Sequence, residues 1–177
     1  KKDIKLLGLH KRRVRYVEAS SPIPAESRKI IYDPIANFSL RNQEVNLGKM
    51  VGRLRELAEL GKGVVHCTYD LASKLRGPLA GDARFMFHTR ENKRDQYSKF
   101  LESEDKVLIG CGMTEGIDLK DNLARWQAVL KIPYPSLEDR AIAYAAEKDP
   151  EWYAWETILK LAQTAGRVCR GPEDWGH

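Results

Sequence analysis

The sequence predicts an α/β fold in which a mainly parallel sheet is flanked by helices on both faces. Short apolar runs alternate with amphipathic segments along the chain, and Gly or Pro residues separate several of them. Strands that are apolar throughout are typical of parallel sheets, because helices cover both of their faces. In such sheets the loops at the carboxyl ends of the strands carry the ligand sites.

The elements follow from local patterns. Met50, Leu54 and Leu57 recur at helical spacing, with Asn46 as a plausible N-cap and Gly61 as the stop. On the same reasoning, the predicted helices are 46–61, 68–78, 91–101, 137–148 and 151–169. The predicted strands are 30–32, 63–67, 85–87, 106–110 and 126–132. Pro residues at 34 and 133 stop the first and last of these strands.

Composition indicates one ordinary globular domain spanning 1–177, with an irregular entry segment at 1–45. Of the 177 residues, 42% are hydrophobic and 31% are charged, and no apolar stretch is long enough to cross a bilayer. The chain opens without a signal peptide and without Met, so we expect a fragment of a longer protein. The net charge of +5 permits binding to a polyanion.

The three cysteines give no sign of a metal site. Cys67, Cys111 and Cys169 lie far apart in the sequence and form no Cys-x-x-Cys pair. Each has apolar neighbours, where a free cysteine behaves as a small hydrophobe. We therefore expect a reducing compartment, which is the cytoplasm in a bacterial, archaeal or phage setting and the nucleus in a eukaryote.

The segment 163–170 carries the most informative pattern. At a spacing of i, i+3, i+4 and i+7 it holds Gln163, Gly166, Arg167 and Arg170. This spacing predicts one helical face with an amide, a gap and two guanidinium groups. Glycine costs a helix about 1 kcal/mol relative to alanine, so Gly166 suggests close approach of another group to the backbone. A solvated charged face is the alternative interpretation, but the combined pattern favours a functional site.

Two further segments follow predicted strands. Segment 110–118 reads Gly-Cys-Gly-Met-Thr-Glu-Gly-Ile-Asp, and its glycines allow a tight turn and close approach to a ligand. An ordinary glycine-rich turn is the alternative. Strand 63–67 ends at Thr68, which could donate to a phosphate oxygen or simply cap the next helix. His66, on the same strand, is expected to be a packed or hydrogen-bonded core residue.

Together these segments resemble superfamily two helicases. The Gln-x-x-Gly-Arg-x-x-Arg spacing resembles motif VI, segment 110–118 resembles motif V, and the strand ending at Thr68 resembles motif IV. The Glu-Gly-Ile-Asp core of 115–118 is most similar to the XPD/DinG branch, which unwinds DNA in the 5′ to 3′ direction. The resemblance implies a RecA-like domain, the second of two, which faces ATP held by the first.

The resemblance also implies roles for individual residues. Arg167 and Arg170 would be catalytic arginine fingers, because planar guanidinium groups stabilise the charge that develops on the γ-phosphate. The positions implied to lie near the nucleotide are Gln163, Gly166, Gly116 and Asp118. The positions implied to contact nucleic acid are Thr68, Thr114 and Glu115.

Two later segments support the same branch. Segment 131–135, Lys-Ile-Pro-Tyr-Pro, resembles the stretch that follows motif V in XPD and DinG proteins. Segment 171–176 resembles their Arg-Gly-x-x-Asp-Tyr-Gly ending, with Trp175 in place of tyrosine. Asp174 within it is expected to pair with a motif VI arginine or to cap a turn.

The chain departs from a complete motor in two respects. It contains no Gly-x-x-x-x-Gly-Lys-Ser/Thr loop and no Asp-Glu pair after an apolar strand. We therefore expect ATP and Mg²⁺ to be held mainly by an N-terminal motor domain of the same protein, with no metal site in this chain. The other expected partner is single-stranded nucleic acid, DNA in the first instance. No membrane partner is expected.

The sequence leaves other functions open. One is a nucleic-acid-binding motor of a nuclease or translocase that does not unwind. Another is a phosphate-binding α/β enzyme of a different class, which would need its own phosphate loop and base. A protein-interaction domain on the same fold is a third, because fold does not dictate function.

Overall fold

A computed structural model describes residues 13–15, 17–37, 39, 41–113 and 116–176. Within them, four parallel strands form one sheet in the order β2-β3-β1-β4. The strands are β1 (Gly63–Cys67), β2 (Phe85–Phe87), β3 (Val107–Cys111) and β4 (Trp126–Val129). The α-helices are α1 (Gln43–Ala58), α2 (Tyr69–Leu79), α3 (Lys93–Glu102), α4 (Arg140–Lys148) and α5 (Pro150–Ala165). The predicted α/β fold with a parallel sheet is confirmed.

One face of the sheet packs against α1 and α2. Val65 of β1 and Ile109 of β3 are fully buried on this face, against Leu54 of α1 and Leu75 of α2. Trp126 closes the same core at the start of β4. Because side chains alternate along a strand, the residues on either side of Val65 and Ile109 belong to the opposite face.

The other face packs against α3 and the chain after β3. Val64 and Leu108 are fully buried here, against Phe100 of α3 and Val168 from the segment after α5. Helices therefore cover both faces of the sheet, as predicted. The central strands β1 and β3 bury apolar side chains on two sides, which explains why their sequences are continuous apolar runs instead of alternating.

A glycine is required where β1 begins. A Cβ atom on Gly63 would lie 2.1 Å from the ring of Trp126 on the neighbouring strand. The indole of Trp126 is held in this position because its Nε1 donates a hydrogen bond to the carbonyl of Gly61, 2.9 Å away. The backbone at the start of β1 therefore packs against the indole ring at the start of β4.

Several predicted boundaries differ from the structure by a few residues, and one predicted strand is absent from the described residues. Helix α1 begins at Gln43, three residues before the predicted N-cap. The backbone N–H groups of Asn42 and Gln43 both donate to the carbonyl of Ser39, so a turn directly precedes the helix. Strand β4 ends at Val129, three residues before the predicted end. The predicted strand 30–32 is wrong: its side chains are 69–85% exposed, and it pairs with no strand of the described chain.

The last two helices form a hairpin beside the sheet. Asp139 caps α4 by accepting hydrogen bonds from the backbone of Ala141 and Ile142, and Asp149 caps α5 by accepting one from Trp152. Few side chains of this hairpin are buried, and Trp155 is 47% exposed. In the described part of the chain, no helix has the length and apolarity that crossing a bilayer requires.

Candidate functional site

The carboxyl ends of β1 and β3 lie side by side at one edge of the sheet. Cys67, the last residue of β1, is the register partner of Cys111, the last residue of β3. Thr68 and Gly112 follow them directly, so the loops that resemble motifs IV and V begin next to each other. This is the edge at which parallel sheets bind ligands.

The glycine-rich loop after β3 is fastened to α3 at both ends. Lys93 Nζ donates to the carbonyl of Gly112 at 2.6 Å, and the Tyr97 hydroxyl bonds the backbone of Asp118. Gly112 and Gly116 have φ of +59° and +74°, a region that favours glycine, so the backbone alone accounts for both glycines. Thr114 and Glu115, the predicted nucleic-acid contacts of this loop, lie outside the described residues.

The segment that resembles motif VI is only partly helical, which corrects the predicted single helical face. Helix α5 ends at Ala165, and Gly166 is its cap. Val168 and Cys169 are 1% and 2% exposed in the core, so the chain must leave the helix axis to bury them. The predicted helix 151–169 is therefore too long. Arg167 and Arg170 follow the helix in a turn and do not continue the face of Gln163.

The structure nevertheless brings the two arginines to the motif V loop. Arg170 Nε donates to the carboxylate of Asp118 at 3.0 Å. The Arg167 side chain donates to the carbonyl of Ile117 at 3.3 Å, and its own carbonyl accepts from the N–H of Leu119 at 3.2 Å. Two segments about fifty residues apart in the chain thus form one polar surface. Asp118, Arg167 and Arg170 are its members.

Gln163 and Gly166 border this surface. Gln163 is exposed in the last turn of α5. Gly166 has a φ of −75°, and a Cβ atom there would lie 3.6 Å from the Ala162 carbonyl oxygen, an ordinary van der Waals distance. Neither the backbone conformation nor the local packing therefore requires glycine at this position.

Thr68 caps α2. Its Oγ1 accepts a hydrogen bond from the N–H of Leu71 at 3.3 Å, so the capping alternative from the sequence is confirmed. Thr68 is also exposed at the sheet edge, beside the N-terminus of α2. The Arg90 guanidinium lies 5.1 Å from the ring centre of Tyr69, the first residue of that helix. The capping bond and the exposure of Thr68 are compatible with a phosphate contact.

His66 is a buried, hydrogen-bonded core residue, as predicted. It is 2% exposed, and its Nε2 lies 3.1 Å from Oε1 of Gln127. Its Nδ1 has no hydrogen-bond partner among the described residues. Burial lowers the pKa of His66 to about 4, an effect that the hydrogen bond to Gln127 opposes and the charge of Arg167 reinforces. The imidazole is therefore neutral at physiological pH beside one of the two site arginines.

His66 should make folding stability depend on pH between about 4 and 6.5. The unfolded chain takes up a proton near pH 6.5, whereas the folded chain does so only near pH 4. Stability is therefore complete above pH 6.5 and falls as the pH drops towards 4, by about 3 kcal/mol. Urea unfolding at pH 7 and pH 4.5 should show this loss in the parent chain and a much smaller one in His66→Gln.

The control for this pH effect lies in the carboxylates. The pKa values of Asp82 and Asp174 are lowered by hydrogen bonds, so their contributions disappear below pH 4, outside the histidine window. An Asp82→Asn variant should keep the slope between pH 4.5 and 6.5. Equal slopes in the parent and His66→Gln chains would contradict the assignment to His66.

Asp174 forms a buried polar cluster behind the site. It contacts the motif VI residue Arg170, as one of the two expectations had it, but through the backbone N–H of Arg170, and its guanidinium partner is Arg125. Its carboxylate accepts from the Arg125 guanidinium at 2.7 Å and from the backbone N–H groups of Arg170, Asp121 and Trp175. Burial acts to raise the pKa of Asp174, but these hydrogen bonds outweigh it and lower the pKa.

The role of Arg125 was missed at the level of sequence. Its guanidinium joins Asp174, lies 4.6 Å from the centre of the Trp175 ring and donates to the Trp175 carbonyl. No local pattern around Arg125 marks this role, because Asp174 and Trp175 lie about fifty residues away. The Asp174 cluster places the backbone of Arg170, and thereby sets the position of that arginine on the site surface.

Comparison with known proteins identifies the domain. A family model described as the helicase C-terminal domain matches residues 64–177, the range that contains β1, the glycine-rich loop and both arginines. No curated protein matches the chain. Among the described residues, no three His, Cys, Asp or Glu side chains are grouped as metal ligands would be. The chain belongs to the helicase C-terminal domain family, the RecA-like C-terminal domain of XPD/DinG-type superfamily two helicases.

Proposed function

We propose that this domain is the second motor domain of an ATP-dependent DNA helicase. ATP and Mg²⁺ would be held mainly by the N-terminal motor domain of the same protein, and this domain would close on the nucleotide. The observation that carries the proposal is the surface formed by Asp118, Arg167 and Arg170 at the carboxyl edge of the sheet. It presents two permanently charged planar groups where parallel sheets bind ligands.

Arg170 is suited to act as an arginine finger. Its side chain is 43% exposed, and its partner carboxylate on Asp118 is 58% exposed. Exposed ion pairs contribute about 0–1 kcal/mol, so a γ-phosphate can draw the guanidinium away from Asp118 at little cost. Arg167 would add a second positive charge from the turn that follows α5. Charge on the transferring phosphoryl group is what such residues stabilise.

The remaining nucleotide positions surround this surface. Gly116 and Asp118 belong to the loop, and Gln163 and Gly166 to the end of α5. Because local packing would accept a Cβ at Gly166, its glycine fits a position that the partner domain or the nucleotide approaches closely. ATP binding would thereby draw the two domains together, and hydrolysis would release them.

Single-stranded nucleic acid would bind along the neighbouring loops. Thr68, at the exposed N-terminus of α2, would donate to a phosphate oxygen, together with backbone N–H groups of that helix. Thr114 and Glu115 would contact the strand from the motif V loop. Arg90, exposed beside Tyr69, adds positive charge next to Thr68. Movement of the motif V loop would couple nucleotide binding to the contacts with the single-stranded nucleic acid.

Substitution of Thr68 tests the nucleic-acid assignment. Thr68→Asp should keep α2 capped, because aspartate is a strong N-cap residue, but it places a negative charge against the phosphate. We expect about tenfold weaker binding to a single-stranded oligonucleotide, with an unchanged melting temperature. Fluorescence anisotropy and thermal melting of the same samples measure the two quantities.

Thr68→Asn is the matched control, because asparagine caps equally well without charge and can still donate a hydrogen bond. It should bind within about twofold of the parent. If Thr68→Asp binds the oligonucleotide as tightly as Thr68→Asn at low salt, the motif IV contact is refuted. A screened charge effect should also shrink as salt rises.

A further inference from the structure

Two of the three cysteines are neighbours in the folded domain, contrary to the isolated positions that the sequence suggested. Cys67 and Cys111 end adjacent parallel strands in direct register, and their sulfur atoms are 3.8 Å apart. Cys169 is not part of this pair, and its sulfur donates to the carbonyl of Asp174. The three free thiols therefore divide into a dithiol and a single buried thiol.

The backbone geometry of the pair fits a disulfide. Neighbouring strands lie about 4.8 Å apart, within the Cα separation of about 4.4–6.8 Å that disulfides span. Both side chains contact the core on the α1/α2 face, so their Cβ atoms point the same way. Rotation about the two Cα–Cβ bonds would have to bring the sulfurs from 3.8 Å to about 2.05 Å.

We propose that Cys67 and Cys111 form a reversible disulfide when a peroxide oxidises the pair. A thiolate of the pair attacks one oxygen of hydrogen peroxide, which forms a sulfenic acid and releases hydroxide. The second sulfur attacks the sulfenic sulfur, the S–S bond forms and the S–O bond breaks. The two thiol protons leave in water, so two thiols and one peroxide give one disulfide and two waters.

The surroundings of the pair favour the thiolate that this chemistry needs. Either sulfur can donate to the other, and a proton held on Cys67 lowers the pKa of Cys111; the positive charges of Arg76 and Lys93 lower it further against the effect of burial. The hydrogen bond to Cys111, burial and the charge on Cys111 raise the pKa of Cys67. The pair thus loses its first proton from Cys111 and holds the second on Cys67. Cys67 is partly exposed and Cys111 is buried, so a small oxidant has to reach the Cys111 sulfur past Cys67.

The bond would act on the proposed nucleic-acid loops. Thr68 directly follows Cys67, and Gly112, held by Lys93, directly follows Cys111. Closing the sulfurs would displace the start of both loops, so oxidation should weaken binding to single strands about tenfold and a thiol reductant should restore it. This consequence rests on the proposed function, whereas the disulfide itself does not.

The disulfide is tested on the native 177-residue chain treated with hydrogen peroxide. Peptide mapping by mass spectrometry should find Cys67 linked to Cys111, and free thiols should fall from three to one. Cys169→Ser should form the same link and fall from two thiols to none. Cys67→Ala and Cys111→Ala should form no intramolecular link. Two results would overturn the proposal. One is sulfinic acid at either cysteine, and the other is a Cys67–Cys111 link that forms equally well in the denatured chain.

The consequence is tested by oligonucleotide binding with the Cys169→Ser chain, reduced and oxidised. The coupling to the loops is supported if oxidation weakens binding and dithiothreitol restores it. Oxidation should not weaken binding in Cys67→Ala. Unchanged binding in a chain whose disulfide is verified overturns that coupling. Failure of the proposed function looks different, because the reduced chain itself would then not bind single strands.

Discussion

Replacing Arg170 with alanine is expected to lower ATP turnover about 10³-fold or more in the protein that contains both motor domains. The side chain presents its charge on the exposed surface shared with Asp118, and the transition state of phosphoryl transfer needs that charge. The loss should appear in kcat more than in ATP affinity, because the interaction forms in the transition state. Steady-state hydrolysis assays with saturating single-stranded DNA measure it.

Two variants separate catalysis from folding in this experiment. Arg170→Lys should not restore turnover, because a point charge replaces a planar fork of donors. Arg140→Ala, which removes an exposed arginine at the start of α4, should leave turnover unchanged. If Arg170→Ala instead lowers the melting temperature and keeps near-normal turnover per folded molecule, Arg170 is a structural residue.

Replacing Asp174 with alanine is expected to destabilise the domain by about 3–5 kcal/mol. The carboxylate is 5% exposed and accepts hydrogen bonds from Arg125 and three backbone N–H groups. Its removal leaves three backbone N–H groups without this acceptor and the partly buried Arg125 guanidinium without its counter-charge, which is more costly than losing the interaction itself. Guanidinium-induced unfolding at pH 7 measures the change.

A double-mutant cycle shows whether the destabilisation comes from the pair. Arg125→Met with Asp174→Ala should cost clearly less than the sum of the two single variants, because the second change removes the stranded charge. Glu173→Ala, the exposed neighbour, should change the free energy of unfolding by less than about 0.5 kcal/mol. If the free-energy losses of Asp174→Ala and Arg125→Met simply add in the double variant, the ion pair is not the source of the destabilisation.

Local sequence patterns determined the sheet and the placement of the candidate loops. Segments 63–67 and 85–87 are strands with the predicted bounds, and 106–110 is shifted by one residue. Apolar runs bounded by turn residues are local signals, and burial on both faces makes them strong. Parallel pairing followed from the alternation with helices, so the loops after β1 and β3 could be assigned to one edge.

The same local signals fail where a segment has no partner. Residues 30–32 have the apolar composition of a strand, but a strand is stable only when a neighbour accepts its backbone hydrogen bonds. In the structure, the chain around this segment contacts the rest through a bridge between Arg28 and Gly176 and an ion pair between Asp33 and Arg53. Composition alone does not distinguish an apolar segment that pairs with a neighbouring strand from one that does not.

Only the tertiary structure decided how the candidate site is assembled. Helical spacing predicted a helix over 151–169 with Arg170 in register with its polar face, yet the chain leaves the helix at Gly166 and buries Val168 and Cys169. Asp174 joins Arg125 from 49 residues away, and Cys67 meets Cys111 from 44 residues away. Periodicity reports which residues share a face of their own element. The register between strands and the path of the chain through the core decide which residues meet across elements.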